Sequence, residues 1–131
     1  MIDGNLANAL FMQPSFLAVS STQNVFVSDY VNHNIRIIRT DGIKIILVTF
    51  CYDCWYFAFW FICFFFSGYV ATFAGSATSE PGYADGAGTS ALFSNVTGIV
   101  FDVNGNLIVS DTNNHCIRLI SSIGTNERTN L

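Results

Sequence analysis

Two aspartates each stand four residues ahead of a histidine and seven ahead of an arginine: Asp29, His33 and Arg36, then Asp111, His115 and Arg118. Asn32 and Asn114 immediately precede the two histidines. A carboxylate and an imidazole at that spacing could contribute to a metal site or pass a proton. Metal sites need three or four converging ligands, however, and each copy supplies a single pair. The competing chemistry is structural: the aspartate accepts backbone N–H groups in the turn after a strand, the asparagine caps that turn, and the arginine pairs locally. This second reading is preferred for Asp29, Asn32, His33, Arg36, Asp111, Asn114, His115 and Arg118, because residues that recur in a repeat protein are usually scaffold. Neither a metal nor a cofactor is therefore expected.

Other reactive groups carry less weight. Cys51 and Cys54 form a CxxC, but without the second CxxC of a zinc site or the βαβ setting of a redox motif. Asn95-Val96-Thr97 is an N-glycosylation sequon that matters only in a secreted chain, and residues 1–5 do not read as a signal peptide. The sequence contains no GxSxG, HExxH or P-loop motif. A net charge of −4, with five Lys plus Arg, leaves no basic stripe for phosphates, so a nucleic-acid partner is not expected.

The elements around these residues repeat as well. Val27–Gly42 (VSDYVNHNIRIIRTDG) aligns without gaps onto Val109–Gly124 (VSDTNNHCIRLISSIG) at an offset of 82 residues. Asp3-Gly4 then falls on Asp85-Gly86, and Ala9-Leu10-Phe11 on Ala91-Leu92-Phe93. In the second copy, Gly98–Asp102 and Leu107–Asp111 are β-rich runs flanking Val103–Asn106, whose Asn-Gly pair can take positive φ at both central positions of a hairpin turn. Cys116–Ile120 is a third strand. The first copy repeats the plan with Phe16–Ser20, Val25–Asp29 and Ile35–Arg39, turning at Ser21–Asn24. Tyr69–Ala74 adds a further strand, followed by a Gly- and Pro-rich loop.

This pattern resembles the NHL repeat family, whose units are blades of a β-propeller. The likeness rests on Thr72–Gly75 (TFAG), Tyr83–Phe93 (YADGAGTSALF), Gly98–Ile120 and Ser28–Ile38. The resemblance implies a binding scaffold whose partners meet the loops of a propeller face, namely other proteins or further propeller blades. Some members and similar propellers are lyases or lactonases that gather metal ligands from several blades, which two blades cannot complete. RNA binding, known among relatives, conflicts with the acidic balance.

A repeat spacing of 82 is too long for one such unit, and the excess is localised. Ile45 to Phe66 is an almost wholly apolar run, and removing residues 43–68 leaves a period of 56 and an unbroken family pattern. Three readings of it stay open. As a transmembrane helix its 22 residues would span about 33 Å, enough for a bilayer core. That reading would place the copies on opposite sides of a membrane, with Asp53 near its centre. As a retained intron translated in frame it would be bounded by the codons of Gly42 and Gly68, and its removal would regenerate one glycine. As a buried apolar hairpin it would need a larger core than two blades offer.

The expected fold is all-β, a partial propeller of two four-stranded blades or parts of them, with an apolar insert at about 43–68 for which a helix is one form. The expected divisions are a first, incomplete repeat at 1–42, the insert at 43–68, a second repeat at 69–124 and a tail at 125–131. Met1 falls inside a unit, which is the reading of a fragment of a longer product. The expected function is a protein-interaction scaffold without catalysis of its own. The alternatives are a single-pass membrane protein displaying NHL-like repeats, membrane-bound only through residues 45–66 and otherwise soluble, and a fragment of a lyase- or lactonase-type propeller enzyme.

Overall fold

A computed structural model describes residues 1–40, 68–121 and 126–128. The insert from Ile45 to Phe66, with the CxxC inside it, lies outside the described residues, as does most of the tail.

The described residues are all-β, in two antiparallel sheets. The first contains β1 (Gly4–Asn5), β2 (Pro14–Val19), β3 (Val25–Asp29), β4 (Asn34–Thr40) and β5 (Gly68–Gly75), in the order β1-β5-β4-β3-β2. The second contains β6 (Val96–Phe101), β7 (Leu107–Asp111), β8 (Cys116–Ile120) and β9 (Asn126–Arg128), in sequential order. Strands β2–β5 and β6–β9 each form a four-stranded meander, the first with β1 added beyond β5, an arrangement consistent with a partial β-propeller. The sheets and the sequence units are out of phase: β5, which opens the second sequence unit, pairs along its length with β4 and completes the first sheet. An outer strand supplied by the next unit ties neighbouring units together.

Alternation along the strands decides which side chains meet. In β7, Leu107 and Val109 are buried while Ile108 and Ser110 are half-buried. Phe26, Ile35, Phe93, Val96, Leu107 and Val109 belong to one apolar cluster drawn from both sheets. Phe26 of β3 bridges it, its ring meeting Phe73 of β5 edge-on at 4.8 Å and Phe101 of β6 at 5.1 Å. Each such contact is worth about 0.5–1.5 kcal/mol beyond buried area, which favours a fixed angle between the sheets.

The hairpin turn of the second sheet differs from the expectation. Gly105 alone takes positive φ, at 82°, with its N–H on the Asp102 carbonyl at 3.1 Å and Asp102 N–H on the Asn106 carbonyl at 2.9 Å. This is a three-residue turn with one left-handed position, rather than a two-residue turn with two. The Asp102 carboxylate accepts the N–H groups of Asn104 and Asn106 and the Asn106 amide, and the Asn106 side chain in particular holds its pKa below the usual range.

Candidate functional site

The repeated motif residues do converge, on their arginines. Arg36 of β4 is fully buried and reaches across β3, where Nη1 donates to Asp29 Oδ2 at 3.3 Å and to the Leu10 carbonyl at 3.0 Å. Its Nη2 donates to the Ile2 carbonyl at 3.0 Å and to Asp3 Oδ1. Arg118 of β8 repeats every bond: Nη1 to Asp111 Oδ2 at 3.2 Å and the Leu92 carbonyl at 2.6 Å, Nη2 to the Ala84 carbonyl at 2.7 Å and Asp85 Oδ1 at 2.8 Å. The guanidinium planes are backed by aromatic rings, Phe11 at 5.0 Å from Arg36 and Phe93 at 4.4 Å from Arg118.

Each central aspartate has a second task. Asp29 Oδ1 accepts the backbone N–H of Met12, and Asp111 Oδ1 that of Ser94, both at 2.7 Å. The donor thus comes from the chain entering the first strand of the sheet, not from the turn after the second strand as the spacing suggested. Asn32 and Asn114 donate to the remaining carboxylate oxygen at 2.7 and 2.8 Å. Carboxylates buried this deeply are tolerable only when their lone pairs are taken, and here both oxygens accept bonds from their own chain. Each cluster locks the long loop before a sheet onto the second and third strands of that sheet.

Spacing missed four of these groups: Asp3, Asp85, Phe11 and Phe93. They recur in register, so the signal was present, but a carboxylate 33 residues ahead of its arginine can be paired with it only once the strand order is known.

The two histidines part company. Both end a tight turn in the left-handed region, at φ 55° for His33 and 54° for His115. His33 Nδ1 accepts the backbone N–H of Asn95 at 3.0 Å, across the junction between the sheets, whereas His115 is exposed. Partial burial lowers the His33 pKa, and the Asp111 charge opposes that shift. Asn95 is half-buried at the same junction. Its Nδ2, the atom a glycan would use, donates to the Tyr30 carbonyl at 3.3 Å, and its Oδ1 accepts from Asn113. The Thr97 carbonyl accepts the hydroxyls of Ser15 at 3.2 Å and Ser28 at 2.8 Å. A cleft of about 410 Å³ opens beside this junction, floored by Phe26, Phe73, Phe101 and Leu107 and rimmed by the two hairpin turns.

Among the described residues, no group of three or more His, Cys, Asp or Glu side chains is placed to share a metal ion. Among the described residues too, no helix is long and apolar enough to cross a membrane.

No curated protein matches the chain to a significant degree. The family model for the NHL repeat matches residues 11–38 and 93–118, two segments that begin at the equivalent residues Phe11 and Phe93 and carry one arginine-centred cluster each. The chain therefore carries two segments similar to the NHL repeat, set in antiparallel sheets consistent with part of a β-propeller.

Proposed function

We propose that the chain is a protein-interaction scaffold without catalysis of its own. One observation carries this reading: the charged residues of the repeated motif are buried and bonded to one another in both sheets, so their chemistry goes into holding blades. What the fold presents outward is loops and turns, including Val103, fully exposed at the tip of a hairpin. Together with the aromatic floor of the adjoining cleft, Val103 forms an apolar patch of the kind that a protein partner covers.

The register at the insert weighs against the membrane alternative. Thr40 and Gly68 are paired residues of β4 and β5, so residues 41–67 leave and re-enter the fold at one place. Both ends then lie on one side of any bilayer, and the segment would have to cross twice or not at all. Twenty-seven residues are too few for two helical crossings of about 20 residues each.

The test is quantitative affinity capture from cells with the full chain as bait, beside a Val103→Asp variant and an unrelated protein of equal charge. The reading expects proteins retained by the parent and lost with the variant. Identical capture profiles for all three baits would defeat it.

A further inference from the structure

The junction between the two sheets is made of paired halves, and each half occurs again on the far side of the other sheet, where no third sheet meets it among the described residues and where Thr97 and Thr112 bond to each other through their hydroxyls at 2.7 Å. The first sheet offers an acceptor, His33 Nδ1, two hydroxyls, Ser15 and Ser28, a carbonyl, Tyr30, and an apolar side chain, Phe26. The second sheet answers with the Asn95 N–H and side-chain amide, the Val96 and Thr97 carbonyls, and Phe101.

Moving the first set by the repeat spacing gives His115, Thr97, Ser110, Thr112 and Ile108. Every group keeps its chemical kind: imidazole, two hydroxyls, a carbonyl and an apolar side chain. Moving the second set back gives Gln13, Pro14, Ser15 and Val19, again an N–H with a side-chain amide, two carbonyls and an apolar side chain. Backbone geometry is kept too, since Gln13 and Asn95 both have φ 56°. On the described residues His115, Thr112, Gln13, Pro14 and Ser15 are exposed, as is Val19 at 42%. The Gln13 N–H, whose counterpart in Asn95 serves His33, has no acceptor among the described residues.

We infer that the chain self-assembles head to tail, the His115 face of one copy receiving the Gln13 face of a second copy through the same contacts that join the two sheets internally. The contact is heterologous, so it closes into a ring if the rotation per copy permits and otherwise grows. With four to eight blades in most closed propellers, rings of two to four copies are the expected products. In the assembly His115 Nδ1 accepts the Gln13 N–H, Ser110 and Thr97 donate to the Pro14 and Ser15 carbonyls, and Ile108 packs on Val19. The inference rests on the scaffold reading and names a partner for it, a second copy.

Light scattering on the purified full chain, with dilution to dissociate it, tests this. The parent is expected at two to four chain masses. Val19→Arg blocks every head and Ile108→Arg every tail, so each variant alone is expected to be monomeric. Mixed, the free tail of the first meets the free head of the second, and the two form a one-to-one dimer that cannot grow. His115→Ala, a surface change, is expected to weaken assembly roughly two- to tenfold, the value of one hydrogen bond, and serves if an arginine variant fails to fold by circular dichroism. A parent that stays monomeric, an arginine variant that still assembles alone, a folded pair that does not combine, or a His115→Ala variant that assembles like the parent would overturn the inference. Failure here, with specific capture of other proteins intact, leaves the scaffold reading standing.

Discussion

His33 Nδ1 accepts the backbone N–H of Asn95 at 3.0 Å, and this bond joins two sheets whose strands are not otherwise paired. An acceptor nitrogen must be unprotonated, and burial already lowers the His33 pKa, with Asp111 pulling the other way. The unfolded chain, with an ordinary histidine, therefore binds the proton more readily, and stability rises with pH across the window. It is complete above about pH 6.5 and declines as pH falls through the lowered folded value. Melting temperature measured from about pH 8 to pH 5 should show this fall, and His33→Phe, which keeps a ring but offers no acceptor, should flatten it. An unchanged profile in that variant would mean that the junction does not depend on the imidazole.

The arginine clusters make a second prediction. Arg118→Met leaves Asp111 buried without its cation and should cost about 3–5 kcal/mol in chemical denaturation. Arg118→Lys should cost about 2 kcal/mol, because an ammonium cannot reach two carboxylates and two carbonyls at once. Adding Asp111→Asn to Arg118→Met should recover part of the loss, since the charge that was stranded is gone. Additive costs in the double variant would show that the pair is not coupled.

Much of this was legible beforehand, for a physical reason. Strands such as Leu107–Asp111 and Cys116–Ile120 carry β-branched residues and are bounded by turn residues, so propensity and punctuation agree and the boundaries came out as expected. The exact partner of each repeated charge was not legible, because Arg118 and Asp85 are brought together by strand order, a non-local property. Nor was the phase of β5: Tyr69–Ala74 reads as a strand in either sheet, and only pairing with β4 places it in the first. The different fates of His33 and His115 were hidden for the same reason, since the same Asn-His pair at the same turn meets a neighbour in one case and solvent in the other.

The two hairpin turns allow a third prediction, from a residue that breaks local rules. Gln23 sits at φ 65°, the position Gly105 holds in the other copy at 82°, and its N–H closes the same turn onto the Ser20 carbonyl at 2.9 Å. A side chain in the left-handed region costs about 1–2 kcal/mol, partly offset by the greater freedom glycine would bring to the unfolded chain. Gln23→Gly should therefore stabilise by about 0.5–1 kcal/mol, read as a higher melting temperature. Gly105→Gln should destabilise by a similar amount. A Gln23→Gly variant less stable than the parent would show that side-chain contacts of Gln23 outweigh the backbone cost.

The last prediction concerns residues 43–68. Arg39 and Tyr69 are paired across β4 and β5, so their removal leaves Thr40-Asp41-Gly42 as the whole connection. Three residues ending in Asp-Gly suit a hairpin, with glycine at the left-handed position. Closing a loop of three residues instead of 29 saves at most about 2 kcal/mol of chain entropy on a flexible-chain scaling, and Gly42 can take over the Gly68 carbonyl that accepts the Leu6 N–H at 3.1 Å. The deletion variant should fold with the same β signature, melt no lower than the parent, and bind less detergent than the parent when the two are compared side by side. A variant that cannot fold would show that residues 43–68 belong to the core. A transcript joining the codons of Asp41 and Tyr69 through a single glycine would be the natural counterpart of that variant, and amplification across the junction from cellular RNA would find it.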